Sequence, residues 1–180
     1  VSNKISQVSL GILEDDKEYV IANSNGKYIK SRNCVTRYMC LVFAEDNDKK
    51  EKEFTDFAQA KGYEILEKDL ETQSINAAKV AIEKLDAEDF KGGELPVIIA
   101  PGFGAVIFHE ACGHGLEATR VAPKISVFSD DLGKKVATSK VTLVDDGTIP
   151  DVWGTNLIDD EGNPTQKNIL IEDGILKSFL

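Results

Sequence analysis

The sequence predicts an α+β fold, an antiparallel or mixed sheet with helices on one face. Three observations carry this expectation: an N-terminal stretch that alternates apolar and polar residues around an Asn-Gly turn, a mid-chain segment of helical period, and a second hairpin pattern at residues 168–180. From Gln7 to Leu13, Val8, Leu10 and Ile12 fall on one side of a strand. EYVIANSNGKYIKS then reads as two strands around Asn25-Gly26, and CVTRYMCLVFAED is β-branched and aromatic enough for another, so the first 45 or so residues form a meander. DNDKKEKE breaks it as a solvated charge run, and residues 53–62 are expected to form a short helix. Between Glu71 and Leu85, Ile75, Ala78, Ile82 and Leu85 recur at 3.6-residue spacing and predict an amphipathic helix.

Asp86 to Glu94, with Gly92-Gly93, is the loop that ends this helix and the candidate boundary between a region 1–90, meander plus helix, and a region 91–180 of strand, helix and strands. LPVIIA at 95–100 is a continuous apolar run, expected as a strand buried on both faces. Pro101-Gly102-Phe103-Gly104 turns the chain, and AVIFHEACGHGLE continues as a helix over residues 104–117. Ala118 to Lys135 lacks a period and reads as a surface loop. VATSKVTLVDD is expected as a strand, DGTIPDVWGTN as turns, and NILIEDGILKSFL as a hairpin around Glu172-Asp173-Gly174.

At 180 residues, 42% hydrophobic and 29% charged, the chain has the composition of a soluble domain with a real core. Its net charge of −10 repels phosphate backbones and argues against a nucleic-acid partner. No window approaches the ~20 apolar residues of a membrane span, and the N-terminal residues lack the basic and apolar blocks of a secretion signal, so a cytoplasmic location is expected. The three cysteines, Cys34, Cys40 and Cys112, form no C-x-x-C pair. On one extended strand Cys34 and Cys40 would lie ~20 Å apart, beyond the ~7 Å reach of a disulfide, so free thiols are expected.

The chain's two histidines, His109 and His114, bracket FHEACGHGLE with Glu110 beside the first. In the H-E-x-x-H zinc motif, imidazoles at i and i+4 share a helix face. Here the spacing is i and i+5, which at ~100° per residue separates the rings by ~140° on an ordinary helix. A single π-turn absorbs the extra residue, and Gly113 inside the spacer eases it. The sequence therefore predicts a wide turn within residues 104–117, with His109 and His114 as metal ligands. Zinc is the natural occupant, although iron or nickel accepts the same donors. Glu110 is placed to take a proton from a metal-bound water, the arrangement of a metal-dependent hydrolase. A catalytic zinc usually has three protein ligands, and Glu117 or a cysteine from elsewhere could be the third. Cys112 is expected to pack as a small apolar residue. Asp145-Asp146 and Asp159-Asp160 could in principle act as acid and base, but each pair adjoins glycine in a turn, where aspartate is favoured for backbone reasons. Gly102-Phe103-Gly104 lacks the further residues of a nucleotide loop and reads as a tight turn.

LPVIIAPGFGAVIFHEACGHGLE followed by VDDGTIPDVWGTNLIDDEGNPTQKNILIEDGILKSFL closely resembles the TldD branch of the TldD/PmbA peptidases, from about residue 95 to the end and more loosely back to about residue 5. The resemblance implies a cytoplasmic zinc-dependent peptidase of small or unfolded peptides, with His109 and His114 on the metal and Glu110 as catalytic base. It implies pairing with a TldE/PmbA-like subunit lacking the motif, or a homodimer. In this family the third metal ligand is a cysteine of the C-terminal half. This chain has no counterpart of it, so the sequence reads as a central piece ending inside the C-terminal region, whose activity alone is not expected. The family's older description as a modulator of DNA gyrase fits poorly, as direct DNA contact, with the acidic charge. The rival expectation is a non-catalytic metal-binding or regulatory module of a larger complex.

Overall fold

Two long strands begin the chain because the Asn25-Gly26 turn folds one back along the other. In the computed structural model, which describes residues 2–180, β1 (Ile5–Ala22) and β2 (Tyr28–Asp46) pair antiparallel throughout, with Leu10 opposite Cys40 and Ile21 opposite Ile29. At the turn Gly26 N–H donates to Asn23 O at 3.2 Å, and Gly26 takes φ +83°, a type I turn followed by a left-handed residue. The Asn23 carboxamide accepts from the Asn25 and Lys27 amides at 3.0 and 3.3 Å and holds the loop.

A two-residue turn, Asn47-Asp48, returns the chain as β3 (Lys49–Gln59), antiparallel to β2 with Asp46 opposite Lys49. The expected helix over 53–62 is therefore absent, and the charge run is strand. Phe54 and Phe57 have helical spacing, but from Glu53 to Phe57 burial alternates residue by residue. A tight hairpin fixes that register more strongly than local propensity does.

The amphipathic segment forms α1 (Leu70–Lys84), as its period predicts. Asp69 caps it, its carboxylate accepting from the Thr72 amide at 3.0 Å. α1 lies on β2 and β3, and Ala77, Ala78 and Ala81 let it approach Cys40, Val42 and Ala44, with Leu85 closing the cluster. The Tyr38 hydroxyl and Ser74 Oγ meet at 2.8 Å at its margin. Cys34, Cys40 and Cys112 are free thiols, and burial pushes the Cys34 thiol above its usual range.

These elements, with Thr148–Pro164, form one unit of the chain; Gly92–Gly147 and Thr165–Leu180 form the other. In the first unit the DDEG stretch is a built turn. Asp159 accepts from the Glu161 and Asn163 amides at 2.9 and 2.8 Å, and Gly162 takes φ +77°. The Asn163 amide is the main cause that holds the Asp159 carboxyl below its usual range. This carboxylate thus orders a loop.

The second unit is built on β4 (Leu143–Asp146), β5 (Lys167–Glu172) and β6 (Ile175–Leu176), in the order β4-β5-β6. The expected strand 136–146 is shortened to its last four residues. β5 and β6 form the expected hairpin, with both Asp173 (φ +48°) and Gly174 (φ +80°) left-handed, a type I′ turn. Leu116, Leu170, Ile171 and Leu176 are its buried core, with Phe128, Val136, Val141, Leu143 and Phe179 packed around them. The expected loop 118–135 contains a one-turn helix, α3 (Ala118–Val121).

LPVIIA is not a buried strand. Residues 95–100 have no regular structure, and Val97 and Ile98 are 76% and 99% exposed. An apolar run becomes a strand where a neighbour completes its ladder, and none of the described strands does so here.

Two outcomes follow from these contacts. A side chain at Gly174 would meet the Ala137 and Thr138 carbonyls at 2.4 and 2.6 Å in a left-handed backbone. Gly174→Ala is expected to destabilise the chain by about 2–3 kcal/mol, read as a lower urea midpoint at unchanged slope. Glu53 is held ionised first by Lys84, at 2.6 Å, and then by the Phe54 amide, so its carboxyl lies below the usual range. A lowered folded pKa gives stability that is present above the unfolded value of about 4.3 and is lost as pH falls through the folded value. Unfolding stability, measured by urea denaturation from pH 6 to 3, is expected to fall more steeply for the wild type than for Glu53→Gln.

Candidate metal centre

The site helix begins at a backbone position suited to glycine, Gly102 with φ +96°. An ideal Cβ on Gly104 would stand 2.8 Å from Ile99 Cγ2, so that turn also needs a bare residue. A 3-10 turn (Phe103–Ala105) leads into α2 (Val106–Phe108), and then the helix widens into a π-turn over His109–Gly113. The His114 N–H donates to the His109 carbonyl, an i→i+5 bond. A second 3-10 turn, His114–Leu116, ends the helix. The widening expected from the histidine spacing is thus present. Its dihedrals are ordinary right-handed ones, φ −58° at His109 and −55° at Gly113.

The widened turn brings both rings to one side. Their centroids lie 4.5 Å apart with planes at 74°, edge to face. His109, Glu110 and His114 each present a ligand atom, and these atoms lie within 4.8 Å of one another on the exposed surface. His114 Nε2 is 3.7 Å from Glu110 Oε2, and His114 Nδ1 is 2.7 Å from Glu117 Oε1. Cys112 is half-buried and outside this group.

Packing behind the helix fixes its C-terminal end. Leu116 is fully buried among Leu170, Ile171 and Leu176. Leu180 N–H donates to the Leu116 carbonyl, and Ala118 N–H to the Leu180 carbonyl, both at 2.8 Å. Ser126 Oγ donates to the Gly115 carbonyl at 2.5 Å and accepts from the Phe128 amide at 3.1 Å. A Cβ at Gly115 would stand 3.0 Å from the Phe128 ring. By contrast Phe103, Ile107 and Phe108, on the N-terminal half, are exposed.

The donor set fits a borderline divalent cation. Two imidazoles and a carboxylate are zinc-type donors, and their ligand atoms lie within 4.8 Å of one another, against the ~3.3 Å between tetrahedral ligands at ~2.0–2.2 Å from a zinc ion. Among the paired aspartates, Asp159 is committed to its turn. Asp146 lies in β4 with Lys167 at 3.9 Å, and Asp145 is its neighbour on that strand. Sequence reasoning named Glu117 as a possible ligand but not its contact with His114, which the i, i+3 spacing on a helix could have suggested. Ser126 carries no sequence signal for its role.

Comparison with known proteins places the chain. Residues 1–87 match the PmbA/TldA metallopeptidase central domain, and residues 92–180 the PmbA/TldA metallopeptidase C-terminal domain. The chain belongs to the PmbA/TldD family. It is 31% identical over 188 residues to a metalloprotease TldD homolog of Buchnera aphidicola subsp. Acyrthosiphon pisum, an alignment covering 100% of this chain and 39% of the relative. A TldD homolog of Haemophilus influenzae is 31% identical over 184 residues, covering 99% of this chain and 38% of that protein. A metalloprotease of Methanocaldococcus jannaschii is 38% identical over 119 residues, 66% of this chain and 26% of its own length. The chain therefore spans under half the length of these family members. Its fold is that of a Thermotoga maritima protein described as a candidate modulator of a DNA gyrase (TM-score 0.83, 21% identity, 99% of this chain and 41% of that one). It is likewise that of TldE from Thermococcus kodakarensis (TM-score 0.76, 23% identity, 96% and 38%).

Removing the anchor tests this construction of the site. Leu116→Ala empties a fully buried position and is expected to cost about 2–5 kcal/mol, with amide exchange speeding up at His114 and Glu117 together with the β5–β6 core.

Proposed function

We propose that this chain carries the catalytic helix of a zinc-dependent peptidase acting on small or unfolded peptides, with His109 and His114 as metal ligands and Glu110 as general base. The convergence of the two imidazoles across the π-turn, with Glu110 among them, is the observation that carries this reading. Bound zinc would supply a Lewis acid that lowers the pKa of a water and polarises the scissile carbonyl. Glu110 is exposed and lies beside both rings, so its carboxylate can accept the proton of the attacking water and return it to the leaving amine. His109 and His114 fix where that water stands. The resemblance to the family implies a cysteine as the third protein ligand. β4 lies at an edge of the sheet in this unit, and an extended peptide can add to such an edge through main-chain hydrogen bonds.

The likeness to TldD homologs and to a TldE fold supports a paired assembly with a TldE/PmbA-like subunit, with a homodimer as its alternative. Among the described residues no helix is long and apolar enough to cross a membrane, and the resemblance to the family supports a cytoplasmic enzyme. The net charge of −10 favours peptides over DNA as the partner.

Metal content by elemental analysis after chelator-free purification is the first test, with stoichiometric zinc expected in the wild type and none in His109→Ala. Glu110→Gln is expected to keep zinc and to lower hydrolysis of an unfolded peptide by the family's full-length assembly by about 10²–10⁴-fold, the usual worth of a general base. Unchanged turnover in Glu110→Gln would favour a non-catalytic metal-binding module.

A further inference from the structure

Glu117 stands one residue past the last turn of the site helix, with φ −65° and ψ 134°. The backbone on both sides of it is tied to the same residue, since Leu116 O accepts from Leu180 N–H and Ala118 N–H donates to Leu180 O, each at 2.8 Å. Its own carbonyl accepts from the Arg120 and Val121 amides at 2.9 and 3.0 Å. The preceding Leu116 side chain is fully buried. A side chain leaving so constrained a backbone has few places to go, and this one reaches back three residues to put Oε1 2.7 Å from His114 Nδ1.

That contact favours one assignment of the free ring nitrogen. An ionised carboxylate only accepts hydrogen bonds, so the shared proton belongs to Nδ1. In the neutral ring the lone pair is then on Nε2, the nitrogen 3.7 Å from Glu110 Oε2. Glu117 itself lies outside the group formed by His109, Glu110 and His114. Metal-ligating histidines generally give their other N–H to a carboxylate or carbonyl, which fixes the tautomer and raises ligand basicity.

We infer that Glu117 is a positioning residue for His114 rather than a third metal ligand: it holds the ring as the Nδ1–H tautomer with Nε2 bare toward Glu110. The inference rests on the metal-site reading for its purpose but not for its test, because the tautomer is present in the metal-free chain. Leu180 and Leu116 take part through the backbone, locking the residue that locks the ring.

The chain has two histidines, so ring ¹⁵N spectra of the metal-free protein at about pH 8.5, where an ordinary imidazole is neutral, resolve into two spin systems assigned with His109→Gln. The expected result is a protonated Nδ1 on His114 in the wild type, its loss in Glu117→Ala, and its retention in Glu117→Gln, whose amide oxygen still accepts. Zinc affinity by competition with a coloured chelator is expected to fall about 10–100-fold in Glu117→Ala, with Glu117→Gln between the two. A His114 protonated on Nε2 in the wild type, or an unchanged Nδ1–H form in Glu117→Ala, would overturn the inference. If a variant loses its amide dispersion, the wild-type spectrum decides alone. A wild type with the Nδ1–H form but no zinc uptake would sink the metal-site reading and leave the ring-holding role standing.

Discussion

One backbone hydrogen bond, from His114 N–H to the His109 carbonyl, sets what this chain can do. The histidines are five residues apart, and on a regular α-helix they would face nearly opposite ways. The i→i+5 bond widens one turn and returns the second ring to the face of the first, 4.5 Å away. Every chemical property attributed to the site, from a shared cation to a general base beside it, depends on that widening. A turn of this kind is less favourable than the helix around it, so it persists where packing holds its ends.

The packing is asymmetric in a way that suits this task. At the C-terminal end Leu116 is in the core, and the Gly115 and Leu116 carbonyls are satisfied by Ser126 and Leu180. The β5–β6 hairpin carries Leu170, Ile171 and Leu176 to that core, and its type I′ turn is fixed by Asp173 and Gly174. Local turn chemistry at residues 173–174 thus reaches the histidines through a short chain of contacts. The N-terminal half of the helix, led by Phe103, Ile107 and Phe108, is apolar and exposed, as is the LPVIIA stretch before it.

Much of this was readable in the sequence where local chemistry dominates. Asn25-Gly26 and Asp173-Gly174 force their turns, the 3.6-residue period of 71–85 has one packing solution, and the histidine spacing demanded a wide turn. The errors share a cause, which is that a strand is a property of two chain segments. Residues 53–62 had helical spacing but were captured by the hairpin on β2, while 95–100 had the composition of a buried strand but no partner among the described residues. The convergence of His109, Glu110 and His114 was legible because their spacing is itself the signal. The Glu117 contact follows an i, i+3 spacing that only the helix end after Leu116 turns into a contact, while the Ser126 anchor comes from a loop eleven residues away and leaves no pattern in the chain.

X-ray absorption of the zinc-loaded chain tests most directly whether the widened turn serves one shared cation. Two imidazole nitrogens at about 2.0–2.1 Å from the metal is the expected result. A shell with one imidazole or none in the wild type would contradict it, because the rings would then converge without holding a metal between them.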